Sequence, residues 1–328
     1  MRESPERRLL PCPIADECGG CDWTALRLDR QLAAKEKILR ESLRRIGKID
    51  AALVPAIRLH ASPLNYRARS RLHIDRETRA VGFFALKSNR VVPIVPECEV
   101  IGPQAVRNLD AVRRLPREDP HATEVHLWET DGELVIRSDK TEHVPIDITV
   151  RKQRFALSTG AFFQVNRHIL GTMFDLLVQC ASRNESRRRA LDLYAGVGFF
   201  TLPLSDLFHR VVGVEGSRES HAHALRNASG FRNIEMIGMP AEQYVRRMKR
   251  SDLVFLDPPR AGADPTVIDA VAEKTVERIC YLSCDPVTFS RDAGRLTARG
   301  WRLASLDLLD LFPNTHHVET FSSFERAS

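Results

Sequence analysis

The spacing of apolar side chains changes along the chain and predicts three kinds of structure in turn. Residues 22–46 carry apolar side chains at roughly helical spacing among many charges, and Gly47 ends the pattern. Between 64 and 150 the apolar runs are short, β-rich and separated by turn residues, which predicts an antiparallel sheet with one helix near 103–115. From about residue 156, strand patterns alternate with helix patterns up to the last strand.

The alternating half predicts a doubly wound α/β domain. RRALDLYAGVGFFTLPLS has the pattern of a strand, a glycine loop and a helix, and further strand–helix pairs follow it. Parallel strands need crossover connections, which helices supply. We therefore expect four parts: a cysteine-bearing segment at 1–25, a linking or packing helix at 26–50, a β-rich domain at 60–155 and an α/β domain at 156–328.

Composition and charge suggest a class of partner. The 328 residues suffice for about two domains, and 49 Lys and Arg against 43 Asp and Glu give a net charge of +6. A basic protein suits a nucleic-acid partner, because cations that neutralise phosphates release counterions. Arg67, Arg69 and Arg71 stand two apart in NYRARSRLHI, so a strand would place all three on one face. That face is either a phosphate track or an edge strand kept soluble by charge.

The sequence contains no pattern of a membrane span or an export signal. No apolar run approaches the length of a spanning helix, and MRESPERRLL at the start lacks the apolar core of a signal peptide. We therefore expect a soluble, cytoplasmic monomer. Its thiols should be reduced, so that clustered cysteines serve as ligands or nucleophiles rather than as disulfides.

A glycine loop after the first α/β strand predicts a cofactor site. Gly196 and Gly198 follow the strand, but Thr201 stands where a dinucleotide-binding loop has its third glycine. Asp192 before the loop would repel a diphosphate, and it suits a cofactor with cationic groups such as S-adenosylmethionine. Glu215 ends the next strand, where a carboxylate accepts the two ribose hydroxyls. The alternative is a glycine pair that serves only the turn.

Two further strand ends carry side chains that suit group transfer. Two prolines after Asp257 hold that residue extended and aim its carboxylate into the crevice. Arg260 follows where amino-group methyltransferases often have an aromatic, so an exocyclic amine is not the expected target. Cys284 ends the next strand as a candidate nucleophile, with a buried thiol as the alternative. Cys280, inside that strand, is expected to be a small buried apolar residue.

A thiolate beside a methyl donor indicates methylation of uracil at C5. That carbon is too weak a nucleophile to take a methyl group until a thiolate has added to C6. A base must then remove the C5 proton, so that the thiolate leaves by elimination. Glu319 in HHVETF, at the start of the last strand, is the candidate base. The alternative is an exposed carboxylate at a strand end.

Five motifs in order resemble the S-adenosylmethionine-dependent RNA uridine-5-methyltransferases. They are FFQVN, LDLYAGVGFFTLPL, LDPPRAG, SCDPVTFSRD and HVETFSSFER. With the N-terminal cysteines and NYRARSRLHI, the resemblance covers nearly the whole chain. It implies a class I methyltransferase fold, which has a Rossmann-like, mostly parallel seven-stranded sheet, together with an antiparallel β-rich RNA-binding domain.

The resemblance also implies a role for each motif residue. Cys284 is the implied nucleophile and Glu319 the implied base. Phe162 would lie near a uracil flipped out of its stack, because thiolate and methyl donor reach the ring from opposite sides. The cofactor-site residues, with the two loop glycines, are Gln164, Tyr194, Gly196, Gly198, Glu215 and Asp257. Phe199 and Pro240 depart from the family pattern at two expected polar contacts to the cofactor.

The start of the chain bears on the expected substrate. It lies close to the cysteines, without room for the small RNA-binding barrel that many family members carry in front. That indicates the shorter branch, whose members mostly modify ribosomal RNA, so 23S rRNA is the expected substrate and tRNA the alternative. A non-catalytic RNA-binding protein conflicts with the intact Cys284 and Glu319. A nicotinamide-dependent oxidoreductase conflicts with Thr201 and the Asp-Pro-Pro turn.

The N-terminal cysteines predict a metal site. Cys12, Cys18 and Cys21 form C-x5-C-x2-C, one thiolate short of a closed tetrahedral site. Cys98 is the expected fourth ligand, and Cys180, inside an apolar helix, is the weaker alternative. Spacing alone leaves zinc and iron–sulfur open, and the resemblance implies a [4Fe–4S] cluster. The methyl transfer needs no electron, so we expect the cluster to be structural.

Overall fold

The computed structural model describes residues 4–327, and its N-terminal part is built on turns and one helix. Residues 4–27 run without a regular strand, apart from isolated bridges such as Cys18 to Ala85. The first helix, α1 (Leu28–Arg45), buries one side chain in every four along a single stripe. It starts later than the pattern at 22–46 predicts, because Arg27 just before it has an extended backbone, with φ −59° and ψ 144°. A short strand, β1 (Ile57–His60), follows a 3₁₀ turn at Ala51–Leu53.

The β-rich region forms a five-stranded antiparallel sheet in the order β4-β3-β2-β5-β6. Its strands are β2 (Arg69–Ile74), β3 (Val81–Phe84), β4 (Val91–Pro93), β5 (Glu124–Glu129) and β6 (Leu134–Ser138). The helix expected near 103–115 is divided into α2 (Pro103–Arg107) and α3 (Leu109–Glu118) at Asn108. Both helices contribute to one apolar core with the alternate, inward side chains of the sheet.

A hairpin, β7 (Pro145–Val150) and β8 (Gln153–Ser158), forms a separate two-stranded sheet. Its inward side chains, such as Ile148 and Phe155, share a core with the next helix, α4 (Leu170–Ser182). By its packing the hairpin therefore goes with the α/β part of the chain. The boundary predicted between 155 and 156 falls inside β8.

The α/β part alternates strand and helix as predicted. Its strands are β9 (Arg189–Leu193), β10 (Arg210–Glu215), β11 (Ile234–Gly238), β12 (Ser251–Leu256), β13 (Thr275–Ser283), β14 (Trp301–Leu309) and β15 (Glu319–Arg326). Its helices are α5 (Thr201–Leu204), α6 (Arg218–Ala228), α7 (Ala241–Tyr244), α8 (Pro265–Lys274) and α9 (Pro286–Thr297), with a 3₁₀ turn at Val245–Arg247.

The main sheet has the order β1-β14-β15-β13-β12-β9-β10-β11. All its pairs are parallel except those of β15, which runs antiparallel to both β13 and β14. The seven expected strands are present, and β1 adds an eighth at the edge beside β14. Arg58 and His60 of β1 hold it there, because both bond to the buried carboxylate of Asp307 on β14, each at 2.7 Å.

Two cores lie on opposite faces of the main sheet. One includes α4 and the hairpin, and the other includes α1, α8 and α9. Cys180 of α4 and Cys280 of β13 form a disulfide in the first core, with their Cα atoms 7.2 Å apart, so the expectation of reduced thiols is wrong for this pair. Cys280 is buried as expected, and Cys180 lies away from the N-terminal cysteines. No helix within residues 4–327 is long and apolar enough to cross a membrane.

Candidate active site

A cavity of about 640 Å³ opens at the carboxyl ends of four neighbouring strands. Ligands of open α/β sheets bind at this edge, since the loops there diverge and leave a crevice. The predicted site residues that line the cavity are Phe162, Gln164, Tyr194, Gly196, Glu215, Asp257, Cys284 and Glu319. The fold therefore brings together side chains that are up to 157 residues apart in the chain, from Phe162 to Glu319.

The glycine loop is held against the end of β10. Gly196 has φ +55°, a conformation that glycine adopts without strain. Its N–H donates to Glu215 at 2.7 Å, and the N–H of Ser217 donates to the other carboxylate oxygen at 2.6 Å. These bonds fix the Glu215 carboxylate at the cavity wall. Gly198 does not line the cavity; it lies behind the loop against Leu202.

Asp192 has a different place from the one its sequence position suggested. It is fully buried beneath the glycine loop, does not line the cavity, and accepts a 2.5 Å hydrogen bond from Thr201. Burial, with the nearby carboxyl groups of Asp257 and Glu215, raises the pKa of Asp192 to about 8. Thr201 therefore replaces the third glycine with a hydroxyl that binds this buried acid.

Phe199 and Pro240, the two positions that depart from the family pattern, give the cavity no polar side chain. Phe199 lines the cavity and packs, tilted or edge to face, against Phe155, Phe163 and Phe200 at centroid distances of 5.3, 5.4 and 4.7 Å. Pro240 precedes α7 and does not line the cavity. The polar group nearby is Glu242, which accepts a 3.0 Å hydrogen bond from the Tyr194 hydroxyl.

The last two strands bring Cys284 and Glu319 together. Ser283 pairs with Thr320 in the antiparallel ladder of β13 and β15, so the next step along the ladder faces Cys284 toward Glu319. Glu319 is 3% exposed, and both side chains line the same cavity. The thiol and the carboxyl group are thus placed on one wall by strand register alone.

Burial and neighbouring charges suppress ionisation in this wall. Burial, with the nearby Glu319 and Asp257, raises the pKa of the Cys284 thiol to about 12. Burial and Asp257 also hold the pKa of Glu319 well above its usual value, and burial raises the pKa of Asp257 to about 7. The Arg260 guanidinium lowers the pKa of both Cys284 and Glu319. The Cys284 thiol therefore keeps its proton at neutral pH in the free protein, and burial favours the protonated form of Glu319.

Comparison with known proteins identifies the family. A family model described as tRNA (uracil-5-)-methyltransferase matches residues 128–326, more than half of the chain. The chain belongs to this RNA (uracil-5-)-methyltransferase family. The predicted S-adenosylmethionine-dependent RNA (uracil-C5)-methyltransferase is thereby confirmed as an enzyme class, and RNA as its substrate class.

Relatives and a solved structure agree with the family. The chain is 32% identical to the 23S rRNA (uracil(1939)-C(5))-methyltransferase RlmD of Alkalilimnicola ehrlichii, over 98% of this chain and 84% of that protein. It is 30% identical to an uncharacterized RNA methyltransferase of Aquifex aeolicus, over 98% and 85%. The tRNA (uracil-54, C5)-methyltransferase of Pyrococcus abyssi, solved with S-adenosyl-L-homocysteine, superposes with a TM-score of 0.77 at 22% identity, over 99% and 87%. That likeness confirms the class I methyltransferase fold.

The four predicted metal ligands of this family member also converge. Cys12, Cys18, Cys21 and Cys98 line one enclosed cavity whose wall is otherwise largely apolar. Gly19 lets the segment lie flat on β3, because its N–H donates to Phe84 at 2.8 Å and a Cβ there would meet the same carbonyl oxygen at 2.8 Å. Within residues 4–327, no group of three or more His, Cys, Asp or Glu side chains is arranged so that it could hold a metal ion.

The three predicted RNA-binding arginines have different surroundings. Arg69 and Arg71 share one face of β2, but Arg69 lies 4.7 Å over the Trp128 ring and donates to the carbonyl of Ala161. Arg67 precedes β2 and lies half-buried near the ring of Phe83. The side chain of Arg71 is 67% exposed. Of the three arginines, Arg71 is therefore exposed to solvent, whereas Arg67 and Arg69 pack against aromatic rings of the protein.

Two features of the cavity were missed by sequence reasoning. In the sequence, Arg260 indicates only that an exocyclic amine is not the target. In the structure it is the cation that favours ionisation of Cys284. Leu311 and Phe312, in the loop before β15, form another part of the wall. The motif FFQVN carries a signal for that loop: Asn166 is fully buried and donates to the carbonyl of Leu311 at 2.9 Å.

Proposed function

We propose that this protein methylates C5 of one uridine in 23S rRNA through a covalent bond between Cys284 and C6 of the uracil. The observation that carries the proposal is the placement of Cys284 and Glu319 on one wall of the cavity that the cofactor-site residues also line. A nucleophile and a base side by side are what addition and elimination at adjacent ring carbons require.

The residues around the cavity have separable tasks. S-adenosylmethionine, held by Tyr194, Gly196 and Glu215, supplies an electrophilic methyl group. Cys284 adds as the thiolate to C6 and makes C5 nucleophilic. Glu319, as the carboxylate, takes the proton from C5, and the bond between sulfur and C6 breaks by elimination.

Phe162 fits the task of receiving a flipped uracil. Its side chain is 60% exposed at the cavity, although it is large and apolar. An exposed aromatic face at the mouth of a site offers a stacking surface to a base that has left its own stack. We propose that it holds the target base against the wall that carries Cys284.

The covalent step is tested with RNA that contains 5-fluorouridine at the target. C5 of 5-fluorouridine carries fluorine in place of the proton that the base must remove, so elimination stops. The wild-type protein should therefore accumulate a protein–RNA adduct that survives denaturation. Cys284→Ala should give no adduct. Glu319→Gln should accumulate an adduct even with unmodified uridine, because elimination is blocked. An equal adduct with Cys284→Ala would contradict the mechanism.

The choice of 23S rRNA rests on a relative that covers 98% of this chain, the Alkalilimnicola ehrlichii enzyme whose name specifies uracil 1939. The family model is named for tRNA, so tRNA is the second candidate. Mapping 5-methyluridine in total RNA from a strain without the gene distinguishes them. We expect a 23S site equivalent to 1939 to lose its methyl group, and loss in tRNA alone would assign the other substrate.

We also propose that Cys12, Cys18, Cys21 and Cys98 hold a [4Fe–4S] cluster. Four thiols share one enclosed, largely apolar cavity, and thiolates are the ligands that such clusters use. The cluster would be structural, since the residues that perform the methyl transfer need no electron. The test is iron, sulfide and zinc analysis with a visible spectrum of protein purified without oxygen. Bound zinc without visible absorption would overturn the assignment, and Cys98→Ser should remove the metal.

A further inference from the structure

The loop at 310–318 joins β14 to β15 and leads directly into Glu319. Leu311 and Phe312 in this loop form part of the active-site wall. Two polar residues in the first half of the loop are buried: Asp310 is 2% exposed, and Asn314 is fully buried. Such a polar segment stays in place only if its buried groups are hydrogen-bonded, so its partners decide where the wall lies.

Asn314 bonds to the N-terminal part of the chain through its side chain. Its Oδ1 accepts from Arg8 at 2.9 Å and from Gln31 at 3.0 Å, and its Nδ2 donates to Glu99 at 2.9 Å. Arg8 and Glu99 also form an ion pair at 2.6 Å. Both the oxygen and the nitrogen of the side-chain amide are therefore hydrogen-bonded to residues that lie more than 200 positions away in sequence.

The backbone of Asn314 adds a second set of bonds. Its N–H donates to Gln31 at 2.8 Å. Its carbonyl accepts from the N–H groups of Asp22 at 3.1 Å and Trp23 at 2.9 Å. Asn314 has φ +65°, a conformation that asparagine adopts more readily than most residues. The residue type thus matches both the local conformation and the bonds.

Three of these partners are neighbours of cysteines in sequence. Asp22 and Trp23 directly follow Cys21, and Glu99 directly follows Cys98. A group that fixes Cys21 and Cys98 therefore also restrains these three partners of Asn314. The other end of the loop is fixed independently, because Lys35 pairs with Asp310 at 2.6 Å.

We propose that Asn314 is a positioning residue through which the cysteine-bearing segment sets the active-site wall at Leu311 and Phe312 and the approach to Glu319. The inference rests on the proposed methyl transfer for its kinetic effect. The cysteine site would then affect the reaction without transferring an electron. It would do so by holding the loop that precedes Glu319 in place relative to Cys284.

The decisive variant is Asn314→Gly, which tolerates the positive φ and keeps the backbone bonds. It removes the side-chain amide and leaves Arg8 paired with Glu99, so no buried charge loses its partner. We expect single-turnover methyl transfer to fall tenfold or more, since a displacement of about 1 Å can cost about 100-fold. The KM for S-adenosylmethionine should stay within twofold. Lys48→Gly, at an exposed residue with φ +54°, is the matched control and should behave as wild type.

Hydrogen exchange measures the same coupling without relying on activity. In the otherwise wild-type protein, Cys98→Ser should raise amide exchange in 310–318 but not in β9 or β10. In the Asn314→Gly background, exchange in 310–318 should already be raised and should respond less to Cys98→Ser. The inference would be overturned by an unchanged rate of methyl transfer in Asn314→Gly. It would also be overturned if amide exchange in 310–318 were the same in Cys98→Ser and in the wild type.

The two proposals can fail separately. If the wild-type protein methylates no RNA, the proposed function is wrong, and the exchange experiment still decides whether the cysteines control the loop. If the wild-type protein is active and Asn314→Gly is equally active, the proposed function stands and the positioning role is wrong.

Discussion

At the scale of single residues, the active site is a group of acids whose ionisation is disfavoured by burial. Cys284, Glu319 and Asp257 share one cavity, and burial raises the pKa of each. Arg260 is the charge that opposes this effect for Cys284 and Glu319. The protonation state of the wall therefore depends on a residue that carries out no step of the chemistry itself.

Removing the Arg260 charge should make the enzyme require a higher pH. In the proposed mechanism the thiolate of Cys284 and the carboxylate of Glu319 are the reactive forms, and burial raises the pKa of both groups, so that ionisation requires a higher pH. The single-turnover rate of the wild type should therefore rise from pH 6 to pH 9. Arg260→Gln should lower the rate at pH 7 about tenfold, which corresponds to one unit of pKa, and should move the profile upward. Arg260→Lys keeps the charge and should lie close to wild type; an unshifted Arg260→Gln profile would contradict the prediction.

Asp192 should make the folded protein less stable as pH rises. Its pKa is raised from the ordinary value of 3.8 to about 8, so between these values the folded state binds a proton that the unfolded state has lost. Its contribution to the free energy of unfolding is thus fully present below about pH 4 and is lost through pH 8. Urea unfolding of the wild type and Asp192→Asn at pH 5, 7 and 9 checks this. Asparagine cannot ionise, so the variant should lose less stability over that range.

At the scale of elements, α1 does more than link two domains. Its buried stripe contains two polar residues, Gln31 and Lys35, and both bond to the loop at 310–318. The sequence predicts the helical pattern, but it does not show that Lys35, the charged residue of the buried stripe, pairs with Asp310. The strand β1 was missed for a related reason: four residues with exposed Arg58 and Leu59 lack an apolar alternation.

Lys35→Met should be one of the most destabilising substitutions in α1. Lys35 and Asp310 are both buried, and removing the ammonium leaves the carboxylate unpaired. Breaking such a pair costs about 3–5 kcal/mol of unfolding free energy, which chemical denaturation measures. The double variant Lys35→Met with Asp310→Asn removes both charges and should recover part of that loss. Equal stability of the single variant and the wild type would mean that the pair does not hold the loop.

At the scale of the whole molecule, the two sheets have complementary surfaces. The main sheet is covered on both faces, and the cavity opens at the carboxyl ends of its strands. The antiparallel sheet is covered on one face by α2 and α3, and its other face carries Arg71 in register with His126 and Arg137. Arg69, on the same face, bonds to the residue before Phe162. This face therefore reaches the mouth of the cavity, and it also carries Glu124, which lies 3.7 Å from the Arg71 guanidinium.

Arg71→Gln should weaken RNA binding in a salt-dependent way. A lost phosphate contact lowers the slope of log affinity against log salt by about one. We expect severalfold weaker binding at 50–100 mM salt, roughly the range in which phosphate contacts count most, with an unchanged KM for S-adenosylmethionine. Arg45→Gln, an exposed residue of α1, is the control. Equal slopes for Arg71→Gln and the wild type would remove Arg71 from the RNA interface.

The sequence by itself determined the order of most elements and the residues from which the chemistry is proposed. Periodicity predicts the antiparallel sheet and the alternating α/β order, because the faces of a strand or helix depend on local spacing. Strand ends predict which side chains reach the cavity, since parallel strands share one carboxyl edge. That is why Cys284 and Asp257 were found without a structure, whereas Glu319, at the start of the antiparallel β15, was found as the base that the chemistry requires.

Only the tertiary structure decided which neighbours these residues have. Asp192 lies under the glycine loop instead of at the cavity, Arg69 rests on Trp128, and Asn314 bonds to residues near the cysteines. Each outcome depends on contacts between segments that are distant in sequence. Local propensity carries no information about such contacts, because the pairing of buried polar groups is settled when the elements pack.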